Sequence, residues 1–216
     1  MTSSDFARAR ADMVEHQLRR RGLTDTAVLA AMGRVERERF VPADAVALAY
    51  ADRPVPIGWG QTISQPYVVA WMAAALQLRP GERVLDVGTG SGYAAAVMAE
   101  LGAQVWGIER VPALVERARV SLAAAGYTAR VRCGDGTLGW PELAPFAAIC
   151  VAAAGPSVPP ALQQQLAVGG RLVMPVGPED EQALVRVTRP SAAEFLVEEL
   201  GPVQFVPLIG AQGWGG

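Results

Sequence analysis

Metal ligands and cross-links are scarce in this 216-residue chain. It has two cysteines, Cys133 and Cys150, and one histidine, His16. Both cysteines sit in apolar, strand-like runs, so they read as small core residues and not as a disulfide framework or metal site. His16 has no Cys or His at ligand spacing and reads as a surface or packing residue. A basic field is missing too. The net charge is −2, and the longest basic run is Arg19-Arg20-Arg21. Nucleic-acid binders carry a basic patch, so no such partner is expected, and the arginine run reads as a solvated helix end. No apolar run approaches the ~20 residues that cross a bilayer. The start, MTSSDFARARAD, is too polar for a secretory signal. These absences point to a cytoplasmic protein with no membrane partner. No long exposed apolar helix stands out, which points to a monomer.

The composition, 51% hydrophobic and 19% charged, suits one globular domain over 1–216 with a full core. Residues 1–50 read as a helical lead-in. A helix is expected over 5–21, ended by Gly22. A second, capped by Thr24 or Asp25, carries Val28, Leu29, Met32 and Val35. A third short helix is expected at 43–50. Residues 51–66, ADRPVPIGWGQTISQP, alternate proline and glycine and read as a long functional loop. A helix follows over 66–78. From residue 82 strand and helix alternate. Strands are expected at 83–88, 104–109, 130–133, 146–152 and 170–176, and helices at 93–101, 111–125 and 160–167. Near-continuous apolar strands in such alternation mean a parallel sheet covered on both faces. Residues 183–189, 195–201 and 203–209 read as further strands without helices between them. The expected fold is therefore α/β, a Rossmann-like doubly wound, mostly parallel sheet with antiparallel C-terminal strands and an N-terminal helical extension.

The chemistry gathers around VLDVGTGSGY, residues 84–93. An apolar strand runs into glycines at 88, 90 and 92, and a helix follows. Such a turn lets a ligand approach the main chain and a helix N-terminus. A dinucleotide fingerprint would be G-x-G-x-x-G; here Tyr93 stands where its last glycine belongs. Asp86, just before the turn, would repel a pyrophosphate and suit an amino group, such as that of S-adenosylmethionine. No lysine or phosphate cradle is present. Glu109 ends the second strand, 21 residues after Gly88, where a carboxylate can accept from both ribose hydroxyls. Asp135, in Gly134-Asp135-Gly136, ends the third and can reach an adenine amino group, although Asp-Gly also favours a turn. Three acids at successive strand ends mark a ligand site.

The chain resembles class I S-adenosylmethionine-dependent methyltransferases and, more narrowly, the protein-L-isoaspartate (D-aspartate) O-methyltransferases. The likeness spans almost the whole chain. It is carried by RFVP (39–42), Asp52-Arg53-Pro54, GQTISQPYVVA (60–70), VLDVGTGSGY, IER (108–110), GDG (134–136) with Gly139-Trp140-Pro141, Gly169-Gly170-Arg171-Leu172, Pro175-Val176-Gly177 and FVPLIG (205–210). The resemblance implies methyl esterification of the α-carboxylate of L-isoaspartyl residues, or the side-chain carboxylate of D-aspartyl residues, in damaged proteins. The ester then closes to a succinimide, which hydrolyses partly to aspartate. It implies Ser64 as the active-site serine and Gln61, Thr62 and Ile63 as the loop over cofactor and substrate. It places S-adenosyl-L-methionine against Asp86, Gly88, Gly90, Gly92, Glu109, Arg110, Asp135 and Gly136. Ala147, Ala152 and Tyr67 depart from residues common among relatives, which bears on rate or substrate choice.

The chemistry agrees with that resemblance. A carboxylate ordinarily titrates at ~4, so it needs no general base at neutral pH, and no histidine base is in evidence. The acceptor motif Asn/Asp-Pro-Pro-aromatic of amine methyltransferases is absent after the fourth strand, where Ala153-Ala154-Gly155-Pro156 stands. By pattern alone Ser64, before Gln65-Pro66, suits an N-cap. Capping and carboxylate binding are compatible at one helix end. Trp71 reads as core packing and Trp59 as a candidate wall for a peptide. Two other functions fit the same residues: carboxyl methylation of one specific peptide or small molecule, and cofactor binding without turnover.

Overall fold

The structure, a computed structural model, describes residues 2–215. The N-terminal unit is helical. Helix α1, Ser3–Asp12, is capped by Thr2, whose side chain accepts from the Asp5 backbone while Asp5 answers to the Thr2 N–H. The helix expected over 5–21 does not stay α-helical: Met13–Leu18 widens to a π-helix and Arg19–Arg21 tightens to a 3₁₀ turn. That shift buries Met13 and Leu18 and leaves the three arginines exposed, where they pair with Glu15 and Asp52. Gly22, left-handed, ends the run as expected. Helix α2, Thr26–Arg34, is capped by Asp25, which accepts from Ala27 and Val28 N–H. The third helix is 3₁₀, Ala43–Leu48.

The stretch 51–66 is not all loop. Strands β1, Val55–Gly58, and β2, Gln61–Ile63, form an antiparallel hairpin. Its tip holds Trp59 between Gly58 and Gly60, all three with positive φ. Helix α3 then covers Pro66–Leu76 and stops at Gln77 in the left-handed region.

The main sheet has seven strands in the order β5-β4-β3-β6-β7-β8-β9. Strands β3 (Arg83–Val87), β4 (Gln104–Glu109), β5 (Ala129–Cys133), β6 (Phe146–Val151) and β7 (Leu166–Val176) are parallel. Strands β8 (Gln182–Ser191) and β9 (Glu194–Val203) are antiparallel additions. Helices α4 (Tyr93–Glu100), α5 (Pro112–Ala124) and α6 (Pro160–Gln164) connect the parallel strands. One face packs Val84, Val105, Val131 and Cys150 against α2–α5 and the N-terminal unit. The other packs Leu85, Ile108, Phe146 and Ile149 under Leu162 of α6 and the residues around Trp140 and Leu208.

Three further expectations change. Helix α6 stops at Gln164 because Leu166 already belongs to β7. Residues 203–209 do not make one strand. Val203 closes β9, and Pro207 and Ile209 form isolated bridges to Ala154 and Trp214. Pro207 removes a donor that a ladder there would need. Cys150 is buried as expected, but Cys133 is exposed, since it ends the edge strand β5. No helix among the described residues is long and apolar enough to cross a membrane.

Candidate active site

Strand order reverses between β3 and β6. The chain leaves β3 towards β4 and β5 on one side, then returns to β6 on the other. Connections diverge at such a point and open a crevice at the carboxyl ends of the strands. A cleft open to solvent lies there, lined by the glycine turn and by the residues that lead into α3.

One wall is the glycine turn. Gly88 and Thr89 N–H both donate to Ile108 O, at 2.8 and 3.2 Å, so the turn is stitched to β4. Gly88 has φ +79° and Gly90 φ +55°, values that side chains resist. Both line the cleft with bare backbone. Glu109 is buried at the end of β4. Its Oε2 accepts from Gly90 N–H and its Oε1 from Val111 N–H, both at 2.9 Å. Each oxygen keeps a second acceptor position. Ile108, Arg110 and Gly136 complete this side. A Cβ on Gly136 would lie 2.5 Å from Val87 Cγ1, so only glycine lets this turn close on β3.

The second wall is Gln61, Thr62, Ile63 and Ser64, which run from β2 to the start of α3. The hairpin is tied down next to its tip, where Arg117 donates to Ile57 O at 3.0 Å. Ser64 does not cap α3. The N-cap is Gln65, with no side-chain cap, and the Ser64 hydroxyl has no hydrogen bond to any described residue. It is free to meet a ligand. Its carbonyl is held from behind by Arg37 Nη2 at 2.7 Å.

Three expected cofactor residues stand off the wall. Gly92 is the left-handed N-cap of α4 and faces Leu122, where a Cβ would sit 3.0 Å from Cγ. Asp86 is wholly buried two residues before Gly88, and both its carboxylate oxygens lack a partner. Burial pushes its carboxyl up to about 7, helped by the charge of Glu109. The nearby Thr89 hydroxyl opposes that shift but donates to the Asp86 main-chain oxygen, at 3.1 Å. Asp135 is turned to the C-terminal segment. It accepts from Thr137 N–H at 2.8 Å, Thr137 Oγ at 2.6 Å and Ala211 N–H at 2.8 Å. Burial alone would raise its carboxyl; these donors outweigh it and hold the group below the usual range.

The third wall holds none of the expected site residues. Val206, Pro207, Leu208 and Ile209 line the cleft, with Ala152 and Ala153 beside them. This segment is bonded to the end of β6 by Ala154 N–H to Val206 O at 2.9 Å and Leu208 N–H to Ala154 O at 2.7 Å. FVPLIG was the available signal. Of the departures, Ala152 is on the cleft, whereas Ala147 lies near the amino end of β6 against Arg171. Trp71 packs on Gly201, while Trp59 is 58% exposed at the hairpin tip.

The residues fit S-adenosylmethionine. Open glycine backbone, spare acceptors on Glu109 and an orphaned buried carboxylate under the turn suit a nucleoside that bears an ammonium. A family model described as "Protein-L-isoaspartate(D-aspartate) O-methyltransferase" matches residues 8–213. The chain belongs to this family. A protein-L-isoaspartate O-methyltransferase of Methylorubrum populi is 61% identical over 99% of this chain and 100% of its own. Protein-L-isoaspartate O-methyltransferase 2 of Marinobacter nauticus is 59% identical over 98% and 96%. Among solved structures, a protein-L-isoaspartate O-methyltransferase from Plasmodium falciparum, in complex with S-adenosyl-L-homocysteine, superposes with a TM-score of 0.81. It is 28% identical, and the match covers 93% of this chain and 98% of that one. In this isoaspartate methyltransferase family member, the cleft between the glycine turn and Ser64 is thus the candidate active site.

Proposed function

We propose that the protein methylates the α-carboxylate of L-isoaspartyl residues, and the side-chain carboxylate of D-aspartyl residues, in damaged proteins, and so starts their repair through a succinimide. It would act as a single domain over 1–216, monomeric and cytoplasmic. One observation carries the reading: a free serine hydroxyl, Ser64, shares a cleft with glycine backbone and the Glu109 carboxylate.

Gly88, Gly90, Glu109, Arg110 and Gly136 would hold S-adenosylmethionine, with Asp86 beneath them and Gln61, Thr62 and Ile63 closing over. Gly92 and Asp135 would act by shaping α4 and the C-terminal wall. Bound there, the cofactor would supply a methyl group on a sulfonium. The work left to the chain is placement. The acceptor is already ionised at neutral pH, so Ser64 has no proton to remove and serves as a hydrogen-bond donor to the carboxylate. Ile63, Val87 and Leu208 give the cleft apolar sides that limit water. Orientation of this kind supplies up to ~7–11 kcal/mol in ideal cases.

Ser64→Ala tests the assignment. Loss of a hydrogen bond to a charged group costs ~1.5–3 kcal/mol, so kcat/KM on an isoaspartyl peptide should fall roughly 10- to 100-fold. Binding of S-adenosylhomocysteine, measured by calorimetry, should not change. A normal kcat/KM would remove Ser64 from the site.

A further inference from the structure

Arg37 is a cation that the reading above does not use. It has no exposed surface. Its Nε donates to Ala49 O at 2.6 Å and its Nη2 to Ser64 O at 2.7 Å. Its guanidinium carbon lies 4.7 Å from the centre of the Tyr93 ring, and Nη1 is buried without a partner. No carboxylate of the described residues pairs with it. Burial pulls its pKa down, with Tyr93 opposing, yet a guanidinium in a protein stays charged.

Stability is a poor reason for such a group. A buried charge costs more than apolar packing of the same volume, and hydrophobic replacements of buried ionic groups are often neutral or stabilising. What an apolar residue could not do is bridge two carbonyls. The planar fork sends donors to two segments at once: Ala49, which ends the 3₁₀ turn, and Ser64, which lies between β2 and α3. Arg37 itself starts another 3₁₀ turn and leans on Tyr93, the first residue of α4. Ser64 belongs to no helix or strand and makes no cap, so its main chain needs an anchor from outside.

We infer that Arg37 is a positioning residue, which fixes the main chain of Ser64 from behind so that the hydroxyl faces the acceptor carboxylate. The inference rests on Ser64 receiving that carboxylate. It predicts a loss on the acceptor side alone. In Arg37→Met, kcat/KM on an isoaspartyl peptide should fall about tenfold or more, mainly through KM, while the Kd of S-adenosylhomocysteine stays within about twofold. Arg37→Lys should recover part of the loss, since one ammonium can still reach one carbonyl.

The decisive experiment is a double-mutant cycle on the full chain, assayed well below each variant's Tm. If Arg37 works through Ser64, Arg37→Met should cost less than about threefold further in the Ser64→Ala background. Full multiplication of the two effects, or equal losses of peptide and S-adenosylhomocysteine affinity, would make Arg37 a general structural residue and overturn the proposal. A silent Arg37→Met beside a damaged Ser64→Ala overturns the proposal and leaves Ser64 in place. A silent Ser64→Ala beside a damaged Arg37→Met defeats the Ser64 reading first, and the proposal falls with it. If Arg37→Met does not fold, Arg37→Lys carries the same cycle, and wild-type kcat/KM in it is the contrary result.

Discussion

At the scale of single residues, Glu109 and Asp86 show how two acids near one turn divide the work. Glu109 fixes the loop and still has acceptors to offer. Glu109→Ala removes both, so the affinity for S-adenosylhomocysteine should fall by ~10- to 100-fold by calorimetry, with little change in peptide KM. Asp86 is different, because its carboxylate has no partner among the described residues. Its carboxyl is raised to about 7 from an ordinary value of 3.8, and that fixes the sign of a pH effect. An acid whose folded pKa is raised binds its proton more tightly when folded. Its contribution is whole below about 4 and is lost as pH rises through about 7. The Tm of the ligand-free protein should therefore decline over that window, and Asp86→Asn should flatten the decline. An unchanged slope would mean that Asp86 is not the group responsible. Its burial also shows what the sequence held and what it hid. That an acid precedes the turn was plain. Its side was not, because alternate residues of a strand face opposite ways. Asp86 shares its face with Val84 and the helices, and Val87 reaches the cleft instead.

Elements were legible where periodicity was strong. Helices α3, α4 and α5 and strands β3, β4 and β6 fall close to the pattern of their apolar residues. The hairpin β1–β2 was not legible. Pro54, Pro56, Gly58 and Gly60 in this short stretch look like loop, and Pro56 is tolerated only because its strand has a neighbour on one side. The C-terminal wall is hidden for a related reason: the apolar run FVPLI has the look of a sheet strand, although its pairing is limited to bridges beside Ala154. Asp135 adds a side-chain tie just past this wall, through Ala211 N–H. Asp135→Ala should speed amide exchange at Ala211 and Gln212. It should lower Tm by several degrees, at ~2–4 °C per kcal/mol for a chain of this size. Because its carboxyl is held low, this support is intact at neutral pH and is lost only as pH falls through that lowered value. Exchange rates matching wild type would show that the segment is held by other bonds, such as Trp214 Nε1 to Ala154 O at 2.9 Å.

At the scale of the whole molecule, alternation of strand and helix was enough to give a parallel sheet with its ligand site at the strand ends. Strand order was beyond reach, since it depends on which edges meet and not on any local pattern. The structure supplies it: reversal between β3 and β6 puts the glycine turn at the crevice, and the hairpin brings Ser64 to the same place. The role proposed for this cleft is to esterify isoaspartyl carboxylate. Matched peptides that differ only in carrying Asp, isoAsp or D-Asp at one position test it most directly, each given S-adenosylmethionine with a methyl label. Base-labile methyl ester should form on the isoAsp peptide, to a lesser extent on D-Asp, and not on Asp. No ester on any of them, with S-adenosylhomocysteine still bound by the protein, would exclude that role.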